Sequence, residues 1–236
     1  MYLHILLQIP LAKVFNKPEL VEHVIKNMKS VISRDPLVEK YLSEVYQNKI
    51  DSGMIKNLKI YVVPNWIINN WFTNTEGFYQ PSFSIMFISE KYIDSKSTPI
   101  HEILHYLSDN HLRKFSIKRI LYTFNWKYYN EFFTEYLTHI WILKESPLEI
   151  QTGYNGPYFQ LYEFFREFDF EIFRHSYFYE DVEVLEDIIE NHGNVSVEQF
   201  LSYIKDLRKP NTKKREEFIN ILQKIANEYN VRKEGL

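Results

Sequence analysis

The chain contains no cysteine. That excludes disulfides, a thiolate nucleophile and any metal held through sulfur, so a bound metal has to be held by histidine and carboxylate. Glycine is scarce, six in 236 residues, which argues against a loop-rich or disordered chain. No run reaches the roughly 18 apolar residues that a membrane-spanning helix needs. The apolar start from Met1 to Leu11 lacks a basic leading segment and a small-residue cleavage site, so it does not read as a signal peptide. A soluble, cytoplasmic protein with no membrane partner is the expectation. A strong excess of either charge is also missing. A net charge of −3 supplies no long-range attraction for nucleic acid, and the basic triplet Lys213-Lys214-Arg215 runs directly into Glu216-Glu217, which makes it a solvated helix start.

Aromatic residues are what the chain has in quantity, 18 Tyr and 18 Phe, and 45% of its residues are apolar. That supplies a sizeable core. The expectation is one unit over 1–236, predominantly α-helical but α+β in class: a helical scaffold over 1–57, a small sheet with two chemistry-bearing helices over 58–145, and a helical part over 146–236. Residues 2–9 are too short to classify, a buried strand and a docking turn being equally compatible. Pro18 opens a helix with the stripe Leu20, Val21, Val24, Ile25 and Met28. Asp35-Pro36 opens another, with Leu37, Val38, Tyr41, Leu42 and Val45 on its apolar face, and Asp51-Ser52-Gly53 ends it. Leu58 to Val63 reads as a strand stopped by Pro64, 65–80 as irregular structure or a hairpin, and Phe83 to Ile88 as a second strand just before the next helix. If that second strand lies at an edge, an extended peptide can pair with it.

The helix that follows begins near Ser97-Thr98-Pro99, with Ser97 or Thr98 as cap, and carries His101-Glu102-Ile103-Leu104-His105. Residues four apart on a helix lie one turn apart on the same face, so His101 and His105 can direct their imidazoles at one metal ion. Glu102 is rotated by about 100° from His101, beside the metal, where it can take a proton from water. The pattern is short enough to arise by chance and needs a third ligand. A second helix, Tyr128 to Trp141, bears Glu131 and Glu135 one turn apart among Phe132, Phe133, Tyr136, Leu137 and Ile140. Carboxylates on so apolar a helix are costly unless a cation meets them. His139 and His175 read as satisfied core or surface histidines.

Together HEILH and NEFFTEY, 25 residues further on, resemble the gluzincin branch of the zinc metallopeptidases, in which a glutamate on a second helix completes the metal site. The resemblance implies a zincin-like fold, Zn2+ as cofactor, a peptide or protein substrate, ligand roles for His101, His105 and Glu131, and a general-base role for Glu102. It implies that Glu135 orients a histidine ligand from outside the metal shell. Phe132 stands where many relatives have glycine. The metzincin pattern would use His111, but Ser108 occupies its glycine position, and all four methionines (1, 28, 54 and 86) precede the motif, leaving none for the turn beneath the metal. A loop of the type Gly153-Tyr154-Asn155-Gly156-Pro157-Tyr158 and a segment like Tyr177-Phe178-Tyr179-Glu180-Asp181 also follow the glutamate helix in a loosely defined set of HExxH proteins. Tyr154 is the candidate for steadying an oxyanion, with Tyr158 behind it. Two other classes stay open: a catalytically silent binding or regulatory protein that keeps a structural zinc, and a helical interaction protein with a chance motif. The sequence does not indicate an oligomeric state.

Overall fold

The computed structural model describes residues 2–69, 76–108, 130–146, 177–179, 190, 195–206, 213, 216–221 and 223–224. The chain divides into two compact units, Met1–Arg113 and Lys114–Leu236. The boundary falls inside the stretch 58–145 that the sequence reading treats as one piece. Each unit is described by itself. The described residues are mostly helical with one three-stranded sheet, an α+β arrangement.

The first unit begins with helix α1, Tyr2–Phe15, where a strand or a turn was expected over 2–9. Pro10 is the reason the sequence misleads. A proline ordinarily closes a helix, yet here it sits inside one, and an apolar stretch whose only Lys, Arg, Asp or Glu is Lys13 offers no polar face from which to read a period. Helix α2, Pro18–Ile32, and helix α3, Pro36–Asp51, follow as expected. The Asp35 carboxylate caps α3, accepting from the amides of Leu37 at 2.9 Å and Val38 at 3.3 Å. A cap of this kind contributes about 1 kcal/mol. Leu37 leaves the predicted apolar face. It sits in the first turn and is 77% exposed, whereas Val38, Leu42 and Val45 are buried. Gly53, at φ +66°, turns the chain after α3 in a conformation that glycine adopts without strain.

Strand β1 is Lys59–Val63. The short helix α4, Asn65–Asn69, and strand β2, Gly77–Gln80, occupy the segment expected to be irregular or a hairpin. The hairpin reading holds for its second half: β2 pairs antiparallel with β3, Ile85–Ser89, across a 3-10 turn at Pro81–Phe83 with Ser84 at φ +49°. Strand β1 pairs with β3 in parallel, giving the order β1-β3-β2. The second strand does not lie at an edge: it is central and buried at all five positions. Phe83 and Ser84, the first two residues of the predicted strand, belong to the turn. The strand itself, Ile85-Met86-Phe87-Ile88, is continuously apolar because both of its faces are covered.

Alternate residues of the sheet supply two cores, as a pleat with period two requires. Ile85, Phe87 and Val63 pack with Ala12 of α1 and Ile67 and Ile68 of α4. Met86, Ile88 and Val62 pack with Val24 of α2, and Ile103 of helix α5, Ser97–Ser108, joins that side. The link between α1 and α2 closes the outer edge of β1: Val62 N–H donates to the Asn16 side chain at 3.0 Å, and Lys17 N–H donates to the Val62 carbonyl at 3.2 Å. Among the described residues β1 and β2 are the outer strands of the sheet.

In the second unit, residues 130–136 are α-helical and run on into a π-helical segment, Leu137–Ile142. The helix Val197–Asp206 lies in the part over 146–236 expected to be helical, and its Phe200 and Tyr203 meet Phe218 at ring distances of 5.1 and 5.8 Å.

Strand β2 approaches α5 so closely that Gly77 has no room for a side chain. A Cβ there would lie 2.9 Å from the Phe87 carbonyl oxygen and 3.2 Å from Thr98 Cγ2. Gly77→Ala is expected to destabilise the protein by about 1–3 kcal/mol, measured by urea unfolding, while Leu37→Ala on the exposed face of α3 stays within about 0.5 kcal/mol.

Candidate metal centre

Helix α5 is anchored at its start by residues that the sequence reading did not choose. Ser95, not Ser97 or Thr98, caps it: Ser95 Oγ accepts the Thr98 amide at 3.1 Å. The Thr98 hydroxyl donates to the Glu76 carboxylate, tying the helix to the residue before β2. Ile100, Leu104 and Leu107 are buried. Tyr106 is buried as well, its hydroxyl donating to the Lys56 carbonyl at 2.7 Å and its ring lying between Tyr46 and Tyr79. With that face fixed, the rotation of the helix about its axis is fixed, and so is the face that carries the histidines.

His101 and His105 are brought together as their spacing requires. Their Nε2 atoms lie 3.0 Å apart, with ring centroids at 4.6 Å and ring planes at 78°. In the absence of an ion, such a pair shares one proton, one ring donating and the other accepting. The same convergence suits a metal: two imidazole nitrogens on a tetrahedral zinc at about 2.0–2.1 Å stand about 3.3 Å apart. The histidines are half-buried, so solvent reaches them, while Glu102 is 6% exposed and removed from bulk water.

The second unit carries Glu131 and Glu135 on one helix. Glu131 is half-buried on the helix of residues 130–136, between Asn130 and the fully buried Phe132 and Phe133. Thr134 stiffens this turn, donating its hydroxyl to the Asn130 carbonyl at 2.7 Å and accepting that of Tyr177 at 2.5 Å. One turn beyond Glu131, Glu135 is buried and pairs with His139, Oε2 to Nε2 at 3.2 Å. His139 meets a second carboxylate through its other nitrogen, Nδ1 to Glu145 Oε2 at 2.5 Å. Glu135 was expected to orient a histidine ligand; within its own unit the histidine it pairs with is His139.

The π-helical segment makes the second of those contacts. The Leu143 amide bonds to the Thr138 carbonyl at 3.0 Å, Lys144 turns at φ +58°, and the Glu145 amide returns to the His139 carbonyl at 2.9 Å. Glu145 thus holds His139 by backbone and side chain together. Sequence reasoning left His139 as a satisfied histidine and did not single out Glu145. The spacing Glu131, Glu135, His139 was available as a signal, whereas positions six apart point about 240° around an α-helix and give none for Glu145. Tyr154, Tyr158, His111 and His175 lie outside the described residues.

Burial lowers the pKa of His139, but hydrogen bonds and charge from Glu135 and Glu145 outweigh it and raise the group above its ordinary 6.5. A raised folded-state pKa means stability that is fully present below the unfolded value and lost as pH rises through the folded one. Unfolding free energy measured by denaturant titration is therefore expected to fall as pH rises above about 6.5, and His139→Gln removes this part of the slope.

No protein-family model matches the chain, and no curated protein and no solved structure does either.

Proposed function

We propose that the chain is a zinc-dependent peptidase with a zincin-like fold of the gluzincin type. The observation that carries this reading is the convergence of the His101 and His105 Nε2 atoms to 3.0 Å on a helix that also bears the buried Glu102. Glu131 completes the proposed donor set; these three are the group that, among the described residues, has the ligand types for one ion. Two neutral imidazoles and one carboxylate suit Zn2+ in a catalytic site, which keeps a further position for water or substrate.

When bound, the ion supplies Lewis acidity, polarising the scissile carbonyl and acidifying water. In this reading Glu102 accepts the proton of the attacking water and delivers it to the leaving amine. Its position on α5, about 100° from His101, suits a base that stands beside the ligands without being one. Tyr154 steadies the negative oxygen that develops at the former carbonyl, and Glu135 orients a histidine ligand. The substrate class is a peptide or protein.

Metal analysis of the purified chain tests the reading. Wild type should carry one zinc, and His101→Ala, His105→Ala and Glu131→Ala should lose it, while His111→Ala retains it. Zinc retained in Glu131→Ala but lost in His111→Ala would overturn the ligand choice. Glu102→Gln should keep zinc and lose cleavage of a peptide library by at least about 10²-fold. A wild-type protein that holds zinc and cleaves nothing in the library would instead be a binding protein with a structural metal.

A further inference from the structure

Glu135 is a carboxylate on a helix whose neighbouring residues are all buried, Phe132, Phe133, Tyr136 and Leu137 among them. A charge in such surroundings is unstable without a partner, and the partner that its own unit gives it is His139 at 3.2 Å. His139 is in turn held by Glu145, the one member of the row that reaches solvent, its side chain 36% exposed against 6% for His139 and 7% for Glu135. The charged groups that face His139 are these two carboxylates. Glu131, Glu135 and His139 follow one another at four-residue intervals, so the row continues along one side of the helix from the proposed ligand.

We propose that His139, clamped by Glu145, is a positioning residue for the metal centre: it holds the Glu135 carboxylate fixed one turn from Glu131. The proposal rests on the zinc reading above. The π-helical segment and the positive φ of Lys144 together return Glu145 onto His139. The device keeps Glu135 able to accept a hydrogen bond, while its charge is balanced inside the protein instead of by the ion.

The test is zinc affinity measured by competition with a chromophoric chelator, alongside thermal unfolding of each full-length variant. His139→Gln should weaken zinc binding by about 10–100-fold, the range found when outer partners of metal ligands are removed. In a Glu135→Gln background the same substitution should weaken it no further, because the carboxylate that His139 serves is gone; a merely structural residue would give losses that add. Glu145→Gln should shift affinity in the same direction by less. If His139→Gln does not fold, Glu145→Gln and the ring 15N spectrum of wild-type His139 decide the matter: an imidazolium near pH 6.5 whose resonances move on zinc addition supports the assignment. Additive losses, wild-type affinity in the folded variant, or His139 resonances indifferent to zinc would each overturn it. His101→Ala separates the two levels. Zinc retained there removes the zinc reading itself, whereas zinc lost there with wild-type affinity in His139→Gln removes only the role of His139.

Discussion

Charge that must be carried on apolar helices is the constraint around which both units are built. Helix α5 turns Ile100, Leu104 and Leu107 into the core, and the glutamate helix buries Phe132 and Phe133 completely, yet each also bears a carboxylate at 6% exposure, Glu102 on the one and Glu135 on the other. Burying an ionised group without compensation costs several kcal/mol, so such residues are kept only where a partner meets them. In the second unit the partner is His139. The local architecture that follows, from the π-helical segment to the left-handed Lys144 and the returning Glu145, is the backbone adjustment that lets one imidazole meet two carboxylates.

The first unit meets a related demand with geometry. Two imidazoles on successive turns share one face by their spacing, but the direction of that face is fixed only if the helix cannot rotate, and α5 is held on several sides: by Ser95 and Glu76 at its start, by the Tyr106 hydroxyl on the Lys56 carbonyl, and by the sheet face that receives Ile103. Gly77 belongs to this set because its missing side chain lets β2 approach the first turn of α5. The sheet is small, but its central strand is covered on both faces, which makes it a rigid base for a helix that presents polar atoms on its other side.

How much of this was legible follows from which interactions are local in sequence. Helices α2, α3 and α5 announce themselves through proline at the first turn, a stripe at helical spacing and, for α3, the Asp35 cap; the convergence of His101 and His105 follows from four-residue spacing alone. What was not legible depended on pairing or on departures from regular spacing. Strand order is set by long-range partners, so the central place of β3 is not written in its own residues. Helix α1 was missed because its proline is internal and its composition nearly uniform. The Glu145–His139 contact spans six positions, which helical periodicity counts as opposite faces; only the widened turn and the positive φ of Lys144 bring the two together.

The pairing of Glu135 with His139 also bears on the charge balance of the proposed centre. Two neutral imidazoles and Glu131 would leave a divalent ion with a net charge of about +1, and that residual charge acidifies water and polarises a carbonyl. A second unbalanced carboxylate one turn away would offset it and weaken the Lewis acid, while an uncharged residue there would be a poorer acceptor for a ligand imidazole. A carboxylate that faces a buried histidine of raised pKa meets both requirements, since its oxygens still accept hydrogen bonds while the histidine offsets its charge and the second carboxylate of the row, Glu145, stands at the solvent-exposed end. On this argument the distinction between a peptidase and a silent metal-binding protein does not lie in the ligands, which would be the same in both. It lies in whether the charge around them is arranged to keep the ion acidic, and the Glu135–His139–Glu145 row is the part of the second unit that bears on that arrangement.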